Sequence, residues 1–106
     1  MKLIIAIVDD SDSRALVDAL TQARIGVTRL ASTGGFLLEG NTTLMIGAEE
    51  HQVDQVLHLI RTTCVRRARL LPQPITEIPG STPMPLEVEV GGAVVWVLQV
   101  ERIERV

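Results

Sequence analysis

The chain of 106 residues predicts one α+β domain of the ferredoxin-like type, a split βαβ arrangement with an added C-terminal hairpin strand. Three observations lead to this prediction. The first strand is apolar on both faces, two later segments have the apolar spacing of amphipathic helices, and two final segments alternate as strands do. In chain order the elements are strand, helix, strand, strand, helix, long loop and hairpin.

The first strand and the first helix are predicted from residues 2–24. Residues 2–8 are apolar at both parities, which is typical of a central strand covered on both faces. The acidic and hydroxyl residues at 9–13 provide N-cap side chains and first-turn negative charge for a helix that runs to about Arg24. Gly26 stands where the C-terminal stop of that helix is expected.

The middle of the chain predicts two strands and a second helix. Residues 27–32 and 42–47 predict the second and third strands, and their short separation favours antiparallel pairing. Two glutamates at 49–50 place negative charge in the first turn of the second helix, whose apolar stripe extends to Cys64.

The last third of the chain predicts a long loop followed by a hairpin. All five prolines fall within residues 65–85, which predicts a long loop, and a loop of this length in a compact domain is usually functional or flexible. Residues 86–90 alternate, Gly91–Gly92 predicts a tight turn, and residues 93–100 predict the partner strand.

The predicted sheet has one face without helices, because right-handed crossovers place both helices on the same side. The first strand and the last strand, which includes Trp96, remain apolar on this second face. A monomer would expose on the order of several hundred Å² of apolar surface, which is typical of an interface. The sequence therefore predicts an obligate homo-oligomer packed through sheet faces.

Composition narrows the class of protein. Hydrophobic residues make up 46% of the chain without a run long enough for a membrane span, so we expect no membrane insertion. The first residues lead directly into a strand and not into a signal peptide, which favours the cytoplasm. The net charge of −3 argues against DNA or RNA as a partner, and the single Cys64 provides neither a disulfide nor a metal cluster.

The stretch 30–47 is the strongest candidate for a ligand site. It combines hydroxyls, paired glycines, an aromatic ring and a short amide, namely Ser32, Thr33, Gly34, Gly35, Phe36 and Asn41. A P-loop is excluded, because no G-K-[ST] follows and a strand comes next. A plain glycine turn, with Phe36 as an interface plug, is the alternative that these residues leave open.

Other polar clusters favour structural roles. The acids at 9–12 suit helix capping better than a magnesium site. On the second helix, His51 and His58 lie about two turns apart, too far for one tetrahedral metal site, so a solvated face is favoured. The arginines at 61–69 either meet a phosphate or complement the helix C-terminus. No nucleophile has an evident base nearby, so we expect a binding protein and not an enzyme, with no metal and no cofactor.

The motifs of the chain are similar to those of the cyclic-di-AMP receptor family of PII-like signal transduction proteins. The resemblance rests on M-K-L-I-I-A-I-V-D-D at 1–10, L-A-S-T-G-G-F-L at 30–37, G-N-T-T at 40–43 and V-E-V-G-G-A-V-V-W-V at 88–97. It implies a ferredoxin-like subunit in a homotrimer, with the cyclic dinucleotide in clefts between neighbouring subunits. It also implies a short loop after the second strand and a long loop after the second helix.

The resemblance implies a role for individual ligand-binding residues. Thr28 and Asn41 contact an adenine or the dinucleotide ring, and Phe36 and Leu37 pack against a base. The backbones of Gly34, Gly35 and Gly47 permit close approach, and Trp96 occupies a place where relatives carry Phe. The resemblance also has departures: Gly26 replaces an Arg of well-studied relatives, with Arg24 or Arg29 as candidate substitutes, and Leu38–Glu39 replace a basic residue and a small one.

These observations together predict a signalling receptor whose ligand orders residues 32–40 and 65–85 and so changes the surface that a downstream protein meets. A PII-like sensor of another adenine nucleotide, ATP or AMP, is the first alternative, and Gly26 and Glu39 would mark its altered specificity. A trimeric scaffold that acts through protein contacts without a ligand is the second.

Overall fold

The computed structural model describes residues 1–30, 40–71 and 86–106. Its elements in these residues are β1 (Lys2–Asp9), α1 (Asp10–Gln22), β2 (Gly26–Leu30), β3 (Asn41–Ala48), a 3₁₀ turn (Glu50–Gln52), α2 (Val53–Thr63), β4 (Arg67–Leu71), β5 (Leu86–Val90) and β6 (Ala93–Gln99). The two helices and the strand, helix, strand, strand, helix order agree with the predicted α+β class.

The main sheet has four antiparallel strands in the order β2-β3-β1-β6. β1 lies at the centre, with Ile5 opposite Met45 of β3 and opposite Trp96 of β6. β2 pairs with β3 in antiparallel register, as the short separation between them predicts. This strand order is that of a split βαβ arrangement, in which each helix connects strands that are not neighbours.

Both helices pack against one face of this sheet, as predicted. The buried core consists of alternate residues from β1 and β3 together with the apolar stripes of the helices: Ile4, Ala6, Val8, Leu44, Ile46, Ala48, Leu16, Leu20, Val56 and Ile60. Their period of two in the strands and of three to four in the helices directs these side chains into one layer. Burial at this interface supplies most of the hydrophobic stabilisation.

The first helix begins as predicted but ends differently. Asp9 is its N-cap and accepts the Ser11 backbone N–H at 2.9 Å, which confirms the capping interpretation for this residue. The helix ends at Gln22, and Arg24 adopts a left-handed φ of 60°. The chain therefore reverses before Gly26, which is the first residue of β2, so the prediction of Gly26 as the helix stop is wrong.

The prediction that residues 86–90 and 93–100 pair as a C-terminal hairpin is also wrong. β5 pairs with β4 in a separate two-stranded sheet, whereas β6 pairs with β1. Part of the predicted loop 65–85 is thus a strand. The physical reason is that one edge of β1 has unpaired backbone groups, and β6 forms hydrogen bonds with that edge and adds its apolar side chains to the same sheet. β5 then pairs with β4, the strand that precedes it in the chain.

Gly91 and Gly92 make the sharp change of direction between β5 and β6. Both have positive φ, 85° and 71°. A Cβ atom on Gly91 would lie 2.2 Å from the Val65 carbonyl oxygen, which leaves no room for a side chain. The turn thus holds the base of the β4–β5 hairpin against the end of α2.

Replacing Gly91 with alanine tests this close contact. Gly40 also has a positive φ, 89°, but a Cβ atom there meets no described atom within 4 Å, so Gly40→Ala is the matched control. We expect Gly40→Ala to cost about 1–2 kcal/mol of unfolding free energy for the left-handed backbone. Gly91→Ala should cost about 1–3 kcal/mol more, because the backbone has to move. Urea unfolding measures both, and equal losses in the two variants would contradict the contact.

Candidate functional site

The N-terminal turn of α1 lies beside the end of the glycine-rich stretch. The Asp10 backbone N–H donates to the Gly40 carbonyl at 2.9 Å. The Thr42 hydroxyl donates to the Asp10 carboxylate. These two bonds attach the start of β3, and with it the residues that precede β3, to the first turn of the helix.

The same helical turn also holds the base of the β4–β5 hairpin. The two terminal nitrogens of Arg67 each donate to one carboxylate oxygen of Asp12 at 3.2 Å. Arg67 Nη2 donates to the Ser11 hydroxyl at 2.9 Å, and that hydroxyl donates to Asp9 Oδ1 at 2.6 Å. This paired geometry is the strong form of an arginine–carboxylate contact. The turn therefore connects both segments that the sequence predicts to be ligand loops.

Hydrogen bonding keeps the cap of this turn charged. The Ser11 hydroxyl and the Ser11 backbone N–H, with smaller effects from Arg67 and Arg69, lower the pKa of Asp9 below its ordinary value. A carboxylate with a lowered pKa is ionised at neutral pH and accepts only. The Asp9 side chain is therefore negatively charged and acts only as a hydrogen-bond acceptor.

The sheet face opposite the helices is largely apolar. We call it the open face; its residues include Leu3, Ile5, Ile7, Thr28, Met45, Gly47, Val94, Trp96 and Leu98, which the strand registers place in adjoining rows. Trp96 is 41% exposed and Leu98 is 44% exposed. Neither helix reaches this face, because both pack on the alternate residues of the same strands.

Thr28 and Gly47 lie on neighbouring strands of the open face. Gly47 stands directly opposite Gly26, and Thr28 occupies the next outward-facing position on β2. A Cβ atom at either glycine meets no described atom within 4 Å, so the backbone is uncovered there. Gly26 therefore extends the bare backbone patch that Gly47 begins.

Trp96 and Asn41 lie away from that patch. In the cross-strand row that joins Thr28, Met45, Ile5 and Trp96, the tryptophan is three strand spacings from the threonine, about 14 Å. Asn41 lies at the far end of β3, six residues from Gly47, which is about 20 Å along an extended strand. A single copy therefore does not bring the predicted contact residues Thr28, Asn41 and Trp96 to one point.

A small cleft surrounds Asn41 where β1 ends and β3 begins. We call it the Asn41 cleft; its volume is about 180 Å³ and its lining residues are Ile7, Asp9, Asn41, Arg66, Gly91, Gly92, Ala93 and Val94. Asp9, Arg66 and the glycine turn come from distant parts of the sequence. Their approach to Asn41 depends on strand register and on the β4–β5 hairpin, which the sequence pattern did not predict.

The remaining predicted residues divide into two groups. Ser32, Thr33, Gly34, Gly35, Phe36 and Leu37 lie outside the described residues, as do Leu38 and Glu39. Arg29, a candidate substitute for the missing Arg, points to the helix side, where its Nη2 lies 3.4 Å from the Ser13 hydroxyl. It therefore does not share a face with Thr28.

Cys64 lies buried at the end of α2. Burial, with a smaller effect from the Asp12 carboxylate, raises the pKa of Cys64 to about 11. The neutral thiol is the form present at pH 7, so Cys64 is a poor nucleophile.

The described residues contain neither a metal-binding cluster nor a membrane-spanning helix. In residues 1–30, 40–71 and 86–106, no group of three or more His, Cys, Asp or Glu side chains is placed to hold a metal ion. Within the same part of the chain, no helix has both the length and the apolar character needed to cross a membrane.

Comparison with known proteins identifies a family and a related solved structure. The family described as "Cyclic-di-AMP receptor" matches residues 1–106, the whole chain. A crystal structure described as that of a functionally unknown protein from Pediococcus pentosaceus ATCC 25745 is 43% identical in sequence, with a TM-score of 0.73. That similarity covers 99% of this chain and 96% of the other, so it extends over the whole fold and is not confined to one motif.

Proposed function

The chain belongs to the cyclic-di-AMP receptor family, and we propose that it is a non-enzymatic signalling receptor that binds cyclic-di-AMP between the subunits of a homotrimer. The main observation that supports a site between subunits is the distance between the predicted contact residues within one copy. Thr28 and Trp96 face the same side of the sheet but lie on β2 and β6, its opposite edges.

A neighbouring copy resolves this separation. If subunits pack through their open faces in a ring, the β2 edge of one copy meets the β6 edge of the next. Thr28 and the bare backbone at Gly26 and Gly47 then face the Trp96 of the neighbour. A flat base between them has backbone on one side and an aromatic surface on the other, which is a favourable stacking environment.

The apolar character of the open face supports the same assembly. Side chains such as Met45, Val94 and Leu98 are each more than one-third exposed in one copy. Contiguous exposed apolar surface of this kind marks an interface, because burying it is favourable at roughly 25 cal/mol per Å².

The N-terminal turn of α1 provides the relay in this proposal. Asp10 bonds the end of the glycine-rich stretch at Gly40, and Asp12 bonds the base of the β4–β5 hairpin through Arg67. Ligand contacts that order the first segment therefore act on the same helical turn that positions the second. Ligand binding therefore changes the β4–β5 hairpin, which then presents a different surface to a downstream protein.

The ligand is tested by isothermal titration with cyclic-di-AMP, AMP and ATP. We expect cyclic-di-AMP to bind tightest. Asn41→Ala should weaken binding roughly tenfold or more, since a two-point contact to an adenine edge is worth about 1–3 kcal/mol. Gln55→Ala, which removes an exposed amide on α2, is the control. A preference for ATP or AMP would favour the alternative sensor, for which Gly26 is the motivating departure, and binding of none of the three would reject a nucleotide receptor.

The assembly is tested by sedimentation. We expect the wild-type protein to sediment as a trimer at micromolar concentration and Ile5→Glu to sediment as a monomer, because a carboxylate at the centre of the open face is costly to bury. Ala15→Glu introduces the same charge at an exposed position on α1 and should remain trimeric. A monomeric wild-type protein would contradict the proposed assembly.

The relay is tested by hydrogen exchange with and without cyclic-di-AMP. In the wild type we expect ligand to slow amide exchange at 67–71 and 86–90. Arg67→Ala should lose this response while it still binds ligand. Arg69→Ala changes the same kind of side chain two residues further along β4 and should keep the response. If Arg67→Ala responds like the wild type, the helical turn is not the connection.

A further inference from the structure

The described lining of the Asn41 cleft carries balanced charge. Among the described residues it includes one acid, Asp9, and one base, Arg66, whose formal charges cancel. Ile7 and Val94 contribute apolar side chains to an otherwise largely polar lining, and the volume of about 180 Å³ is below the range of a site for a whole drug-sized ligand. A cleft of this size and charge suits a neutral flat group better than a phosphate.

The polar groups in the cleft match the hydrogen-bonding edge of adenine. The Asn41 side chain offers a donor and an acceptor, the pair that reads adenine N7 and N6. Both bonds that Ser11 donates to Asp9 go to Oδ1, so neither of them occupies Oδ2. A carboxylate oxygen accepts from the exocyclic amine of adenine and repels the carbonyl that guanine carries at the same position.

Arg66 lies across the glycine turn at the edge of the cleft. A Cβ atom on Gly92 would fall 3.0 Å from Arg66 Cγ and 3.1 Å from Arg66 Nε, so the side chain lies directly over the turn backbone. Its Nη1 is 3.8 Å from Glu89 Oε1, and both side chains are mostly exposed. An ion pair this exposed is weak, so Arg66 can exchange Glu89 for another partner at small cost.

We propose that Arg66 stacks its guanidinium plane on an adenine whose edge is held by Asn41 and Asp9. The proposal rests on the proposed function, because the adenine is one base of the same dinucleotide. Arg66 immediately precedes β4 and brings a cationic group to the edge of the cleft. Glu89 holds Arg66 at the cleft edge when the base is absent, and the planar guanidinium is the group suited to cover a base.

Titration of three arginine variants with cyclic-di-AMP tests the contact. Arg66→Ala should weaken binding about threefold to thirtyfold, the range of a cation–π contact. Arg66→Lys should be nearly as weak, because it keeps the charge but loses the plane. Arg61→Ala, which removes an exposed arginine outside the cleft, should bind like the wild type. Because Arg66 is exposed, all variants should melt at the wild-type temperature.

Two further measurements separate a base contact from a phosphate contact. The affinity ratio between wild type and Arg66→Ala should change little between low and high salt, since screening weakens a close contact with a neutral base much less than the attraction between exposed charges. Glu89→Gln releases Arg66 and should tighten binding by up to about fivefold.

The outcomes are distinct. If wild type binds cyclic-di-AMP and Arg66→Ala binds equally well, this inference is overturned and the proposed function stands. Full affinity in Arg66→Lys, together with a ratio that falls towards one at high salt, identifies a phosphate contact and also overturns it. If wild type does not bind cyclic-di-AMP, the proposed function fails and this inference fails with it.

Discussion

β1 is apolar on both faces, and the rest of the molecule is arranged around this constraint. One face, with Ile4, Ala6 and Val8, is closed by the two helices. The other face, with Leu3, Ile5 and Ile7, is flanked by β3 and β6 but receives no helix. Hydrophobic burial is complete on the first side and incomplete on the second. A second copy of the chain is the simplest way to complete it, and this connects the fold to the proposed site between subunits.

A second organising feature is the first turn of α1. A helix N-terminus has unpaired N–H groups and attracts acids, and here three aspartates meet that need. Asp9 caps the helix, Asp10 bonds Gly40 and Thr42 at the start of β3, and Asp12 accepts from Arg67. Residues with an ordinary capping role in the sequence thereby join two segments that are far apart along the chain. A metal or catalytic role is not required to explain them.

The candidate ligand residues are divided between three places: the glycine patch with Thr28, the Asn41 cleft and the β6 edge. A cyclic dinucleotide has two bases and two phosphates, so several separate contact regions suit it better than one deep pocket. The Asn41 cleft has a volume of about 180 Å³, and a Cβ atom at either glycine of the patch would meet no described atom within 4 Å. Arg66, which immediately precedes β4, is the cationic side chain at the edge of this cleft among the described residues.

The sequence by itself determined the α+β class, both helices, the β2–β3 pairing, the apolar second face and the family, since these follow from local periodicity, capping and motifs. The tertiary structure alone decided that β6 pairs with β1 and β5 with β4, and that Arg24 ends the turn after α1. It alone placed Arg66 and Asp9 beside Asn41. Strand partners and side-chain neighbours of this kind depend on which free edge and which apolar face the rest of the chain leaves available, and no local pattern records that.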